Sequence, residues 1–283
     1  MRNKRFSRVY VEITNRCNRA CSFCPGTRRA PGELSAAQFG VLAEKLRPWT
    51  DYLYLHVMGE PLLHPELDKI LQTSADLGFF TALTTNGTLL PDCQAVLLAA
   101  PLYKLSVSLH SFEANEQGSF SDYLTGCTEV GRALAEKGTL VSFRLWNLDG
   151  QTTRGLHEQN DAVLAHLHRA FPGTWTQNAK GNRLAERVYL EYGERFDWPD
   201  LGARDNGACG TCHGLRDQLA ILCDGSVVPC CLDHDGELTL GNLFSQGVAD
   251  ILDTPLAVSI LEGFQRRERV APLCRRCGYA TRF

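Results

Sequence analysis

Cys17, Cys21 and Cys24 stand three and two residues apart in the stretch NRCNRACSFCPG, directly after the apolar alternation of Val9, Val11 and Ile13. Three thiolates this close on a loop can hold three irons of a four-iron cluster and leave the fourth without a protein ligand. An open coordination position separates a catalytic metal centre from a structural one. Short cysteine spacings also suit zinc, so a four-ligand zinc site is the rival reading. A disulfide framework fits poorly, because such scaffolds belong to small secreted chains. This chain has 283 residues, and Met1 to Arg8 is too polar for a signal peptide.

Seven of the twelve cysteines lie between Cys209 and Cys277, which argues for a second metal site. Within it LAILCDGSVVPCC reads as a β-hairpin turning at Asp224 and Gly225. Cys212 precedes the hairpin, Cys230 ends it, and Cys274 with Cys277 forms a CxxC, so these four can converge on one cluster. Cys209 and Cys231 are alternative ligands, although neighbours on a strand point to opposite faces, which separates Cys231 from Cys230. Cys93, Cys127 and Cys223 sit in apolar patterns and read as small buried hydrophobes. A zinc ribbon is the rival for this second set.

The elements that must position these groups alternate. A first strand over Val9 to Ile13 delivers the cysteine loop, and Ser35 with Gln38 marks a capping box opening a helix that runs to about Leu46. A second strand over Tyr52 to Val57 follows, then a helix from Glu66 to Leu77 closed by Gly78. FFTALTTNG is a third strand, Pro91 to Ala100 a helix, YKLSVSLH a fourth strand, Tyr123 to Lys137 a helix and LVSFRLWNL a fifth strand. Asp161 is read as capping a helix to Phe171, and RVYLEY as a sixth strand. Residues 147–160 and 173–186 read as loops. Strands alternating with helices imply βαβ units and a parallel sheet, here an α/β fold with an incomplete (β/α)6 barrel over residues 1–205. A small β-hairpin plus helix domain follows over 206–283. Catalytic groups on such sheets lie at the C-terminal strand ends, where the cysteine loop is.

A hydrophobic fraction of 44% suits a soluble globular chain. No run approaches the roughly 18 apolar residues that span a bilayer. A formal charge of −3 leaves no electrostatic footprint for nucleic acid. The expectation is a cytoplasmic enzyme without a membrane or nucleic-acid partner, its many cysteines serving metal in a reducing compartment.

The triad Cys17, Cys21, Cys24, with aromatic Phe23 before its last member, resembles the signature of the radical S-adenosylmethionine (radical SAM) enzymes. The resemblance implies a [4Fe-4S] cluster whose open iron is chelated by SAM. An electron from the cluster then cleaves SAM to methionine and a 5′-deoxyadenosyl radical, which takes a hydrogen atom from substrate. Gly59, Glu60 and Pro61 match the family's GEP motif, which meets the SAM amino group. Thr85 and Asn86 in TTNG, and Ser108 in the fourth strand, match positions binding SAM polar groups. Arg144 in the fifth strand is read as pairing with the SAM carboxylate, with a structural salt bridge as the rival reading, and the resemblance implies that Phe23 packs near adenine. An arginine suits a carboxylate because its planar fork is bidentate. His56, His110, Trp146, Asn147 and Glu191 lie near strand ends, where facing substrate and serving the core are both open readings. His64 and His213 read as structural, and no catalytic base is assigned.

Cys212, Gly225, Cys230, Cys274 and Cys277 resemble in order the twitch module, a shortened relative of the SPASM auxiliary-cluster domain, with GNLF and VADIL similar to its connecting segment. Because a full SPASM domain continues with further cysteines, whereas this chain stops at Phe283, one auxiliary [4Fe-4S] cluster is expected. The resemblance implies two clusters, SAM and a reducing partner such as flavodoxin or ferredoxin. It favours oxidation of a small molecule with the auxiliary cluster as electron acceptor, as in dehydrogenases of aminocyclitol alcohols. The alternative is modification of a ribosomal peptide or protein side chain, disfavoured because the chain begins almost at its first strand. A non-catalytic electron carrier or zinc-binding interaction module is the reading from another class, which leaves the SAM-pocket positions unexplained.

Overall fold

Strand and helix alternate as the apolar periodicity requires. The computed structural model describes residues 5–114, 118–148 and 157–283. Strands β1 (Arg8–Val11), β2 (Tyr52–Tyr54), β3 (Phe80–Thr85), β4 (Leu102–Ser108), β5 (Leu140–Leu148) and β8 (Val188–Glu194) pair in parallel, in that order. Helices α1 (Ala36–Leu46), α2 (Leu67–Asp76), α3 (Leu90–Ala99), α4 (Phe120–Glu136) and α5 (His157–Ala170) lie in the crossovers. One strand face is aliphatic and aromatic: Val9, Val11, Leu53, Leu83, Leu105, Val141 and Phe143 are buried in one cluster with Phe39, Leu42, Leu46, Ile70, Leu97, Leu124, Leu134 and Leu167 of the helices. Because side chains alternate along a strand, the opposite face, lining the barrel interior, carries Tyr10, Tyr54, His56, Thr84, Lys104, Ser142, Arg144 and Glu191.

Helix α1 starts at the expected box, with the Ser35 hydroxyl accepting from the Gln38 N–H at 3.1 Å and the Gln38 side chain accepting from the Ser35 N–H at 2.8 Å. Elsewhere boundaries move. β2 ends at Tyr54 rather than Val57, because the His56 N–H turns back onto the Tyr54 carbonyl. α4 begins at Phe120, capped by Ser119. β4 stops at Ser108, and His110 falls in the following 3-10 turn. α5 begins before Asp161, which is therefore not its cap; the buried Val163, Leu167 and Phe171 mark only its later turns. Of the loop expected over 147–160, Asn147 and Leu148 belong to β5 and 149–156 lie outside the described residues.

The loop expected over 173–186 contains a hairpin, β6 (Thr176–Asn178) with β7 (Gly181–Ala185), which extends the sheet antiparallel from β8. Its sequence is polar because it forms an exposed edge, so it lacks the alternation that marks half-buried strands. At the other edge β9 (Gln218–Ile221) pairs in parallel with β1, followed by antiparallel β10 (Ser226–Val228) and β11 (Gly241–Asn242). The C-terminal hairpin is thus continuous with the barrel sheet, in one sheet of eleven strands among the described residues. Helices α6 (Val248–Leu252), α7 (Pro255–Gln265) and α8 (Pro272–Arg275) complete the chain. No helix among the described residues is long and apolar enough to cross a membrane.

Candidate functional site

The loop after β1 is closed at its neck by Asn15. Its side chain accepts from the Gly32 N–H at 2.7 Å and donates to the Ala30 carbonyl at 2.9 Å. Thr14 donates to the Gly32 carbonyl and pairs with Glu33. Within this loop Cys17 and Cys24 are exposed and Cys21 is half-buried. The loop leans on the ends of β3 and β4: Asn18 bonds Asn86 and Thr88, each at 2.9 Å, and the Cys21 thiol lies 3.8 Å from the Ser111 carbonyl. Phe23 packs on His110 at 4.9 Å between ring centres, and its carbonyl accepts from the Trp198 indole at 3.1 Å.

Gly59 has φ +78°, and a Cβ there would lie 2.5 Å from the Thr14 carbonyl oxygen and 2.8 Å from that of Arg16. Only glycine permits this approach. The Glu60 N–H donates to the Arg16 carbonyl at 2.8 Å. The Glu60 carboxylate, 1% exposed, accepts from the Asn86 N–H at 2.7 Å and the Leu62 N–H at 3.1 Å. Burial pushes this carboxyl up to about 7, against hydrogen bonds from Asn86, Thr85 and Leu62. Gly59, Glu60 and Asn86 therefore interlock with the cysteine loop, Glu60 as an internal tie, and Pro61 and Thr85 flank them.

Ser108 and Arg144 are register partners on β4 and β5. Arg144 lies 3.6 Å from Glu191, which also pairs with Lys104 at 3.0 Å. Arg144 thus has a protein carboxylate as neighbour, a contact strand alternation does not reveal. Burial opposes ionisation of Glu191, but Lys104 and Arg144 carry its carboxyl below the ordinary range. His110 Nδ1 sits 3.1 Å from the Arg144 carbonyl, and burial lowers the ring to about 4. Asn147 bonds Asn160 at 2.9 Å and so serves the core. His64, buried, caps the approach to α2 through the Glu66 N–H and reaches the Leu34 carbonyl. His213 pairs with Asp217 at 2.8 Å.

His56 is packed among Tyr10, Tyr54 and Thr84. Burial, then the Arg144 charge, lowers its ring from 6.5 to about 3. A histidine kept neutral this way gives stability that is full above pH 6.5 and is lost as pH falls towards 3, because there only the unfolded chain takes up the proton. In guanidinium melts between pH 6.5 and 4.5, His56→Gln is expected to flatten the loss of stability by about 1.4 kcal/mol per pH unit. Equal slopes would refute the buried neutral ring.

In the second set Cys277 is buried and Cys212, Cys230 and Cys274 are half-buried. Burial, then the neighbouring thiols of Cys231, Cys212 and Cys274, push Cys230 well above its usual range. Cys274 is pushed up to about 12 by burial, then by Cys212, Cys277 and Asp233. The four are thus close enough to act on one another. Cys231 packs with Tyr10 against Ala220, Leu222 and Val228. Cys209 is exposed, its backbone bridged to Glu268. Cys127 is buried and Cys93 and Cys223 are half-buried. No group of three or more His, Cys, Asp or Glu side chains among the described residues is drawn together closely enough to hold a single metal ion. Both sets are all-thiol, the donor type of iron-sulfur clusters, and so fit that group.

A clamp that sequence reasoning missed joins the two loops. Asp235 accepts from the Thr27 hydroxyl and the Arg28 N–H at 2.8 Å and from the Arg28 guanidinium at 2.7 Å, while Glu237 also pairs with Arg28. Arg29 donates to the His234 carbonyl at 2.8 Å and to buried Glu12 at 2.7 Å. His234 stands edge-on to Trp198. The contacts of residues 27–29 with 234–237 span some two hundred residues, and no local pattern announces them.

The family model described as the radical SAM superfamily matches residues 11–157, and the SPASM model, an iron-sulfur cluster-binding domain, matches residues 212–278. The chain is 25% identical to an S-adenosyl-L-methionine-dependent 2-deoxy-scyllo-inosamine dehydrogenase of Niallia circulans, across 97% of this chain and 94% of that protein. It is 29% identical to a probable GTP 3′,8-cyclase of Pyrobaculum aerophilum, across 71% and 68%. Among solved structures it resembles BtrN in complex with AdoMet and 2-DOIA, with a TM-score of 0.60 and 20% identity over 96% of this chain and 92% of that one. That likeness concerns the fold.

Proposed function

The chain belongs to the radical SAM superfamily, and from that premise we propose that it oxidises an alcohol carbon of a small molecule. The observation that carries this reading is the second convergent thiol set, Cys212, Cys230, Cys274 and Cys277, clamped to the first loop through residues 27–29 and 234–237. Cys17, Cys21 and Cys24 would hold a four-iron cluster that with SAM supplies hydrogen-atom abstraction, and the second set would hold a cluster supplying an electron acceptor. The backbone of Gly59 to Pro61, with Thr85, Asn86 and Ser108, forms the wall for the polar end of SAM. Phe23, fixed by His110 and Trp198, is its apolar counterpart. Residues 1–205 act as the partial barrel and 206–283 as the auxiliary domain. A flavodoxin or ferredoxin would deliver electrons, and twelve free thiols suit a reducing cytoplasm.

Anaerobic reconstitution is expected to load roughly eight irons per chain, as two four-iron clusters require, and dithionite with SAM to yield 5′-deoxyadenosine. Cys274→Ala with Cys277→Ala is expected to lower the count to about four. An unchanged count would defeat the assignment of the second set, and zinc in place of iron there would make it structural. Deuterium in the 5′-deoxyadenosine traced to a small alcohol supports the oxidation; label from a peptide would replace it with side-chain modification.

A further inference from the structure

The inward face of β4, β5 and β8 carries more positive charge than it answers. Lys104 and Arg144 share the single carboxylate of Glu191, at 3.0 and 3.6 Å. The other ionised side chains facing inward along β1 have their own counter-charges: Glu12 bonds Arg29 at 2.7 Å, and Arg8 at the far end has Asp217 nearby. Among the described residues one cation is in surplus, in a place where burying unmatched charge is costly.

Arg144 is also short of acceptors. Its side chain is 12% exposed, its Nη1 reaches the Thr84 hydroxyl only at 3.4 Å, and its Nε, the atom that faces Glu191 at 3.6 Å, makes no hydrogen bond among the described residues. Its guanidinium carbon lies over Trp146, 4.5 Å from the ring centre. Beside it, half-buried His56 leaves its inward Nδ1 without a hydrogen-bond partner among the described residues. A planar fork set over an aromatic ring, with its edge under-bonded, is a receptor for a carboxylate or phosphate. The sequence reads Arg144 as a partner of the SAM carboxylate. In this structure its guanidinium faces Thr84 and Glu191, the carboxylate it shares with Lys104.

We propose that Lys104 and Arg144 bind an oxyanion, carboxylate or phosphate, on the substrate, so that this chain acts on a small alcohol bearing an acidic group. Glu191 is then the internal counter-ion that holds the two cations in position and must share them with the substrate. The substrate class rests on the radical enzyme reading above, whereas the anion site is testable by itself.

The test is anaerobic calorimetry on the reconstituted protein with inorganic phosphate, acetate and neutral myo-inositol, each with and without saturating SAM. One equivalent of anion is expected to bind in either case, with myo-inositol silent. The tighter anion distinguishes a phosphoester from a carboxylate substrate. Lys104→Met and Arg144→Gln should each weaken anion binding at least tenfold. Glu191→Gln, close in shape, should strengthen it severalfold by removing the competing carboxylate, an effect a merely structural triad would not produce. No anion binding by wild type, unchanged binding in both cation variants, weaker binding in Glu191→Gln, or displacement of the anion by SAM would each overturn the proposal. Assaying 5′-deoxyadenosine on the same preparation separates the two readings: cleavage without an anion site defeats only this inference, and an anion site without cleavage defeats only the enzyme reading.

Discussion

Alanine at Cys17, Cys21 and Cys24 together is expected to reduce 5′-deoxyadenosine formation to the background of a reaction without enzyme. The three thiols share one loop whose neck is fixed by Asn15 and Thr14 and whose far side rests on Asn86 and Ser111. No other thiol stands ready in that loop, since Cys223, the cysteine nearest its neck, lies under Gly32 and bonds Arg29. Groups that act as a unit lose function together, so effects are non-additive. Cys21→Ala alone should therefore be nearly as damaging as the triple variant. Chromatographic measurement of 5′-deoxyadenosine decides it, and substantial cleavage by the triple variant would end the assignment of this loop as the reactive centre. Iron in the second set should persist in that variant, giving a readout independent of turnover.

The second large effect is expected at Gly59, where the obstacle is backbone on both sides. A methyl group would meet the carbonyl oxygens of Thr14 and Arg16 at 2.5 and 2.8 Å, and φ is +78°. The conformation alone costs a side chain about 1 kcal/mol or more. The clash adds to this because neither carbonyl can withdraw without opening the loop neck, so Gly59→Ala should lose roughly 3 kcal/mol or more in all. Gly138 supplies the control, with φ +100° and nothing within 4 Å of the position a methyl carbon would take; Gly138→Ala should cost only about 1 kcal/mol. Thermal melts of both variants, with iron content, test the difference. Equal losses at the two sites would mean that the approach of Gly59 to the cysteine loop has no structural weight. A loss at Gly59 accompanied by iron missing from the first set only would tie that approach to the geometry of the thiols.

Local hydrogen bonds and apolar periodicity were legible in the chain by itself, because each is set by residues a few positions apart. The spacing of Cys17, Cys21 and Cys24, the Ser35 box, the six parallel strands and the Asp224 and Gly225 turn are of that kind, and so is the glycine that begins the GEP motif. Boundaries slipped where an end is decided by a partner elsewhere, as when the His56 N–H turns back and stops β2 short of Val57. The polar edge hairpin β6 and β7 escaped because exposed strands carry no burial pattern. What only the tertiary structure decided are pairings among polar residues far apart in the chain. Asp235 and Arg28, Trp198 and the Phe23 carbonyl, and Glu191 between Lys104 and Arg144 are each one choice among many similar side chains. Periodicity placed Arg144 on the inward face of its strand. Which carboxylate it meets there depends on the register of β8 against β5, which is fixed by the packing of the whole sheet on its helices.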